Sequence, residues 1–170
     1  IVFFSGAKLA VNGGNVLNTG RKIQGNGDGE LELNGENAIN DMNINIGGAN
    51  KLLIDANAGQ DDMGFLQFGT GTVTIDAEGA GLLAFDDSSA NTWGGSLVIS
   101  NFVAGVLSFG TDANGLTSTQ LGKIQAYDGS GSLVSGLSLA GAGSLIPEPA
   151  TLGLISFFGG GVLFVRRLMM

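Results

Sequence analysis

A five-residue pattern, Leu or Val, any residue, an aliphatic, Asn or Asp, then a small residue, returns along this chain at nearly fixed spacing. It reads LAVNG at Leu9–Gly13, LELNG at Leu31–Gly35, LLIDA at Leu52–Ala56 and VTIDA at Val73–Ala77, with a weaker copy, LVISN, at Leu97–Asn101. The copies begin at positions 9, 31, 52, 73 and 97, so the step from each to the next is nearly constant. Within each copy apolar and polar residues alternate, which is the period of a strand with one face in a core. Asn or Asp before a small residue then ends the strand, because these residues tolerate tight and left-handed turns. A second strand-like segment follows each copy: MNINI (Met42–Ile46), FLQF (Phe65–Phe68), LLAF (Leu82–Phe85) and VLSF (Val106–Phe109).

Two or three short strands in about 22 residues make one coil of a parallel β-helix. The spacing therefore predicts an all-β solenoid of about five coils over residues 1–146. Leu9, Leu31, Leu52, Val73 and Leu97 are expected to stack in one internal column, and the phenylalanines in another. An antiparallel β-sandwich also places short strands every 8–12 residues or so and is the alternative fold. Fixed spacing favours the solenoid. One helix interrupts the strands: Thr117 and Gln120 form a capping-box pair, Leu116 and Leu121 a staple, and a short helix over 118–123 is expected. SLVSGLSLAGAGSL reads as a small-residue strand and a linker.

Composition narrows the chemistry. There is no Cys and no His, which removes disulfides, thiolate metal sites, Ser-His-Asp triads and Cys-His pairs. Seven basic and 15 acidic residues give a net charge of −8, a balance that repels phosphate backbones and argues against nucleic-acid binding. No catalytic residue, metal site or cofactor is assigned. Asp61-Asp62 and Asp86-Asp87 are paired carboxylates of the kind that glycan-processing sites use. Their contexts, GQDDMG and FDDSS, read instead as solvated turns. GNGDGE (Gly25–Glu30) has the look of a calcium turn but lacks tandem repetition, so an ordinary turn is expected. Trp93, beside Gly94-Gly95, is read as a partly exposed corner open to partners.

The two prolines of the chain, Pro147 and Pro149, flank Glu148 just before a run of 15 uncharged residues, Thr151–Val165, that ends at Arg166-Arg167. As a helix this run is about 22 Å long, short against a hydrocarbon core of about 30 Å. It spans only if the bilayer thins or the arginines snorkel, with Arg166 and Arg167 as the cytoplasmic stop. Gly159, Gly160 and Gly161 invite close helix approach. At the other end Ile1-Val2-Phe3-Phe4 is an apolar strand without a cap, a candidate for self-association. A start at Ile1 rather than Met points to a removed leader or a longer parent protein.

Pro147-Glu148-Pro149, an apolar helix and a terminal basic pair together resemble the PEP-CTERM sorting signal of exported bacterial proteins. The resemblance covers the C-terminal end of the chain, from about Ile146 onward. It implies an address at 147–170, with the tripeptide recognised by an exosortase-like processing enzyme and the helix held in the inner membrane before cleavage. The upstream chain is similar in style to the autotransporter-type β-strand repeats common in such proteins. The expectation is an exported, non-enzymatic structural or adhesive protein of the cell surface or extracellular matrix, forming homo-oligomers. The alternatives are a self-assembling subunit of an extracellular filament or sheet, and a polysaccharide-active β-helix protein.

Overall fold

Alternation of apolar and polar residues gives each short strand one face for a core, and winding the chain brings those faces together. The structure is a computed structural model that describes residues 1–3, 5–14, 17–18 and 22–148. It is a three-sided, mostly parallel β-solenoid. On the longest face Ala7–Val11, Gly29–Leu33, Leu52–Ala56, Thr72–Asp76, Ser96–Ser100 and Ile124–Tyr127 lie parallel, and Leu133–Val134 closes the sheet antiparallel. A second face carries Val2–Phe3, Lys22–Gly25, Asn43–Ile46 and Leu66–Phe68, continued by a single parallel bridge from Phe68 to Trp93. The third face pairs Leu17–Asn18 with Ile39–Asn40, then Gln60–Met63 with Leu83–Phe85 and Leu107–Phe109.

There are about four complete turns rather than five, because in the fifth coil the second face is reduced to the single bridge at Trp93, and in the coil after it the helix Ser118–Leu121 takes that place. Among the described residues, antiparallel pairing is confined to the C-terminal closure, where Leu137–Leu139 and Leu145–Pro147 form a hairpin in what reads as a linker. The small residues there form tight turns at Gly136 and Gly143, both with positive φ. The helix is capped as expected: Thr117 Oγ1 accepts from Gln120 N, and Gln120 Oε1 accepts from Thr117 N.

The expected Leu column divides in two. Leu9 pairs with Leu31, and Leu52 with Val73 and Leu97, but Leu31 pairs with Ile54 rather than Leu52. All remain on the same face and, apart from the half-buried Leu9, all are buried. The second coil is therefore two residues longer than the motif spacing indicates. A shift of two preserves the inward alternation, so periodicity cannot reveal it. The phenylalanines also divide: Phe85 and Phe109 stack on the third face, with rings 5.2 Å apart, whereas Phe68 belongs to the second face.

Candidate functional site

The carboxylates that the sequence singles out lie along the third face. Leu83 pairs with Gln60 and Phe85 with Met63, so two residues of one strand oppose one of the other. This bulge turns both Asp61 and Asp62 to solvent while Gln60 and Met63 stay inside. Asp61-Asp62 therefore lies in a strand, not in the turn expected for it. The second pair separates: Asp87 Oδ1 accepts from Ser89 N at 2.8 Å and shapes a turn. Hydrogen bonding from the Ser89 side chain, and then from this backbone N–H, holds the Asp87 carboxyl below the usual aspartate range.

Asp86 instead joins Asp62 and Asp41. Asp41 sits at the preceding coil's corner with φ 50°, and its N–H bonds Asp62 O at 2.6 Å. Partial shielding from water, followed by the charges of Asp41, Asp62 and Asp87, raises the Asp86 pKa above the ordinary aspartate value. Such a row can bind cations weakly or repel an anionic neighbour. Among the described residues, no group of three or more carboxylates is arranged to hold a metal ion.

Asp86→Asn is expected to raise the urea midpoint near neutral pH. Ionised Asp86 is disfavoured in the fold, so the native chain takes up this proton at a higher pH than the unfolded chain. As pH falls through the raised native value, wild type regains stability, and the variant's advantage fades by about the ordinary value of 3.8. Urea melts from pH 7 to pH 3 check this; an advantage independent of pH overturns it.

The outer side of the long face carries two further rows. Ala10, Glu32, Asp55 and Asp76 occupy one outward column, and Lys8 and Glu30 begin the next. Lys8 Nζ reaches Glu30 at 2.7 Å and Glu32 at 3.1 Å, and the Glu32 carboxyl is held below its usual range by Lys8. At the corner beyond, Asn34 Nδ2 donates to Asn12 Oδ1 at 2.8 Å and Asn57 Nδ2 to Asn34 Oδ1 at 2.9 Å. The motif alignment misses this amide ladder because it matches Asp55, rather than Asn57, to Asn12 and Asn34. The near-equal spacing of Asn12, Asn34 and Asn57, one coil to each step, is the available signal.

Buried polar groups serve the fold. Gln60, fully buried, donates to Gly35 O and Ala58 O and accepts from Ile39 N. Ser88 accepts from Leu66 N, and Gln120 donates to Ser88 O and Asn91 O. Trp93 is only 3% exposed, so it is no corner for partners. Its ring lies 4.9 Å from that of Phe68 and 5.7 Å from that of Phe109, and its Nε1 donates to Leu66 O at 2.8 Å. In GNGDGE, Asp28 Oδ1 accepts from Lys51 N, an ordinary bond between coils.

The described residues end at the closed end of the solenoid. Pro147 is the last residue of its strand, paired with Leu137, and Glu148 N–H bonds Gly136 O; both Pro147 and Glu148 are exposed. An open groove lined by Leu121, Leu133, Val134, Leu137 and Glu148 lies beside them. Val2 is exposed and pairs with Gln24, and Ile1 is exposed beside it. Phe4, Pro149, Gly159, Gly160, Gly161, Arg166, Arg167 and the expected apolar helix lie outside the described residues. No helix among the described residues is long and apolar enough to cross a membrane. No protein-family model, curated protein or solved structure matches the chain.

Proposed function

We propose that this chain is an exported, non-enzymatic scaffold of the bacterial cell surface or extracellular matrix, addressed there by its C-terminal tail. The observation that carries the scaffold reading is the use of the buried polar side chains. Gln60, Ser88 and Gln120 bond backbone across coils, and among the described residues no buried side-chain polar atom lacks a partner. The interior is committed to holding coils together, and the outer surface offers rows of amides and carboxylates for contact. The address reading rests on the resemblance of Pro147-Glu148-Pro149 and the tail to a sorting signal. Pro147 and Glu148, the described part of the tripeptide, are exposed, which supports the reading.

Replacing Pro147, Glu148 and Pro149 together by Ala in the native host is expected to leave uncleaved, membrane-held protein. Intact mass and cell fractionation check this, and normal release at normal mass overturns the address. Cleavage of acidic or neutral glycans by the purified chain, read on a zymogram, overturns the non-enzymatic reading. A filament or sheet subunit is the second reading; among the described residues Ala7–Val11 has a strand on one side only.

A further inference from the structure

Asn34-Gly35 and Asn114-Gly115 are the same dipeptide in unlike settings. Packing demands the glycine in both. A Cβ on Gly35 would lie 2.6 Å from the carbonyl carbon of Gly13, and one on Gly115 would lie 1.7 Å from the carbonyl oxygen of Phe109. Both glycine carbonyls are also bound: Gly35 O accepts from Gln60 Nε2 at 2.8 Å, and Gly115 O from Ser88 N at 3.0 Å. Both asparagines are exposed. The difference lies in the side-chain amide. Asn34 is the middle of the amide ladder, with Nδ2 donating to Asn12 Oδ1 and Oδ1 accepting from Asn57 Nδ2. Asn114 lies in the loop between Leu107–Phe109 and the helix, where its backbone N–H bonds Asp112 Oδ1 at 2.7 Å. Among the described residues neither the Asn114 amide nor the Gly115 N–H has a hydrogen-bond partner.

Asparagine before glycine is chemically labile, because no side chain shields the following backbone nitrogen from the amide carbon. We propose that Asn114 is a site of spontaneous covalent modification, deamidating in the folded protein, and that the ladder holds Asn34 back from the same reaction. The Gly115 nitrogen attacks the side-chain carbonyl carbon of Asn114, forming a C–N bond and losing its proton to water. The bond from that carbon to the amide nitrogen then breaks, and the nitrogen takes up a proton and leaves as ammonia. The product is a cyclic imide. Water adds to either imide carbonyl and opens the ring, to aspartate or to isoaspartate. Water is consumed and ammonia released, with no oxidant or reductant.

Ring closure needs the asparagine side chain to swing onto the next peptide. At Asn114 that movement breaks no bond among the described residues. Asn34 must first part from both Asn12 and Asn57, so it reacts only from a locally opened ladder. Two such hydrogen bonds slow it on the order of tenfold. The product at Asn114 alters the closing end of the solenoid. Either form adds a carboxylate close to Asp112, and isoaspartate also routes the main chain through an extra methylene. That carbon enters immediately before Gly115, which is wedged against Phe109, and just ahead of the helix cap at Thr117. The isoaspartate form is therefore expected to melt at a lower temperature. None of this depends on the tail or on the proposed function.

Ageing the full chain in mildly alkaline buffer and mapping its peptides by mass spectrometry reads the two sites separately. In the native chain Asn114 is expected to convert on the order of ten times faster than Asn34. In guanidinium, where the ladder is gone, the two rates should converge. Asn57→Ala removes one partner of Asn34 and is expected to raise the Asn34 rate while leaving that of Asn114 unchanged. Circular dichroism checks that the variant is folded, and the comparison of native with unfolded wild type stands without it. An Asn114 that stays intact in the native chain but converts in guanidinium overturns the inference. So does an Asn34 that keeps pace with Asn114 in the native chain, or one whose rate a folded Asn57→Ala variant does not change.

Discussion

Leu52→Asp is expected to lower the stability of the fold by about 4 kcal/mol or more, enough to unfold much of the population at room temperature. Leu52 is 2% exposed, and Val73, Leu97 and Ile124 continue its column. Loss of the leucine alone costs about 2–5 kcal/mol at such a site. The carboxylate adds the cost of burial among aliphatic groups, even if it takes up a proton to avoid carrying charge. Its neighbour supplies the control: Leu53 is on the outer side of the same strand, beside Glu30 and Thr74. Leu53→Asp is expected to cost about 1 kcal/mol or less. Urea denaturation followed by circular dichroism distinguishes them, and equal losses would show that the two positions do not face opposite sides.

Period-two alternation carries most of what the sequence can say. It places Leu31, Leu52, Val73 and Leu97 inside, and it sets the coil length closely enough to favour a solenoid. It cannot assign register, because Leu31 over Ile54 and Leu31 over Leu52 satisfy the same alternation. Nor can it assign faces: FLQF and LLAF look equivalent as strings, yet their strands lie on different sides of the prism. Trp93 misleads because flanking glycines suggest an exposed turn. Here they admit close backbone packing at the corner while the indole points into an aromatic cluster with Phe68 and Phe109.

Polar residues inside strands are the hardest to read. QDDM has no apolar alternation, and only the bulge explains how Gln60 and Met63 both enter the core. Asp41 joins the carboxylate row through a left-handed corner one coil before Asp62, a relation that only the winding of the chain creates. The capping box is legible because its parts lie within a single helical turn. The amide ladder is half legible: Asn12 and Asn34 occupy matching motif positions, and Asn57 is hidden by the two-residue shift. Local chemistry survives in the string, whereas contacts one coil away depend on loop lengths that composition does not determine.

Gly95→Ala is expected to destabilise the fold by about 3 kcal/mol, although it adds one methyl group. The corner between the second and long faces stacks three layers: Gly47-Gly48-Ala49-Asn50, Gly69-Thr70-Gly71, and Gly94-Gly95. A Cβ on Gly95 would lie 1.7 Å from the carbonyl oxygen of Gly71, and one on Gly71 equally close to that of Asn50. The obstacle is backbone rather than a flexible side chain, so relief requires the layers to separate. Separation strains the bonds that join them, Ser96 N–H to Gly71 O at 3.3 Å and Gly71 N–H to Gly48 O at 3.1 Å. It also disturbs the seat of Trp93 two residues earlier. Gly141 is the matched control, since a Cβ there meets nothing within 4 Å. Gly141→Ala should leave the urea midpoint within experimental error. A Gly95→Ala protein as stable as Gly141→Ala would mean that the coils do not pack this closely at the corner.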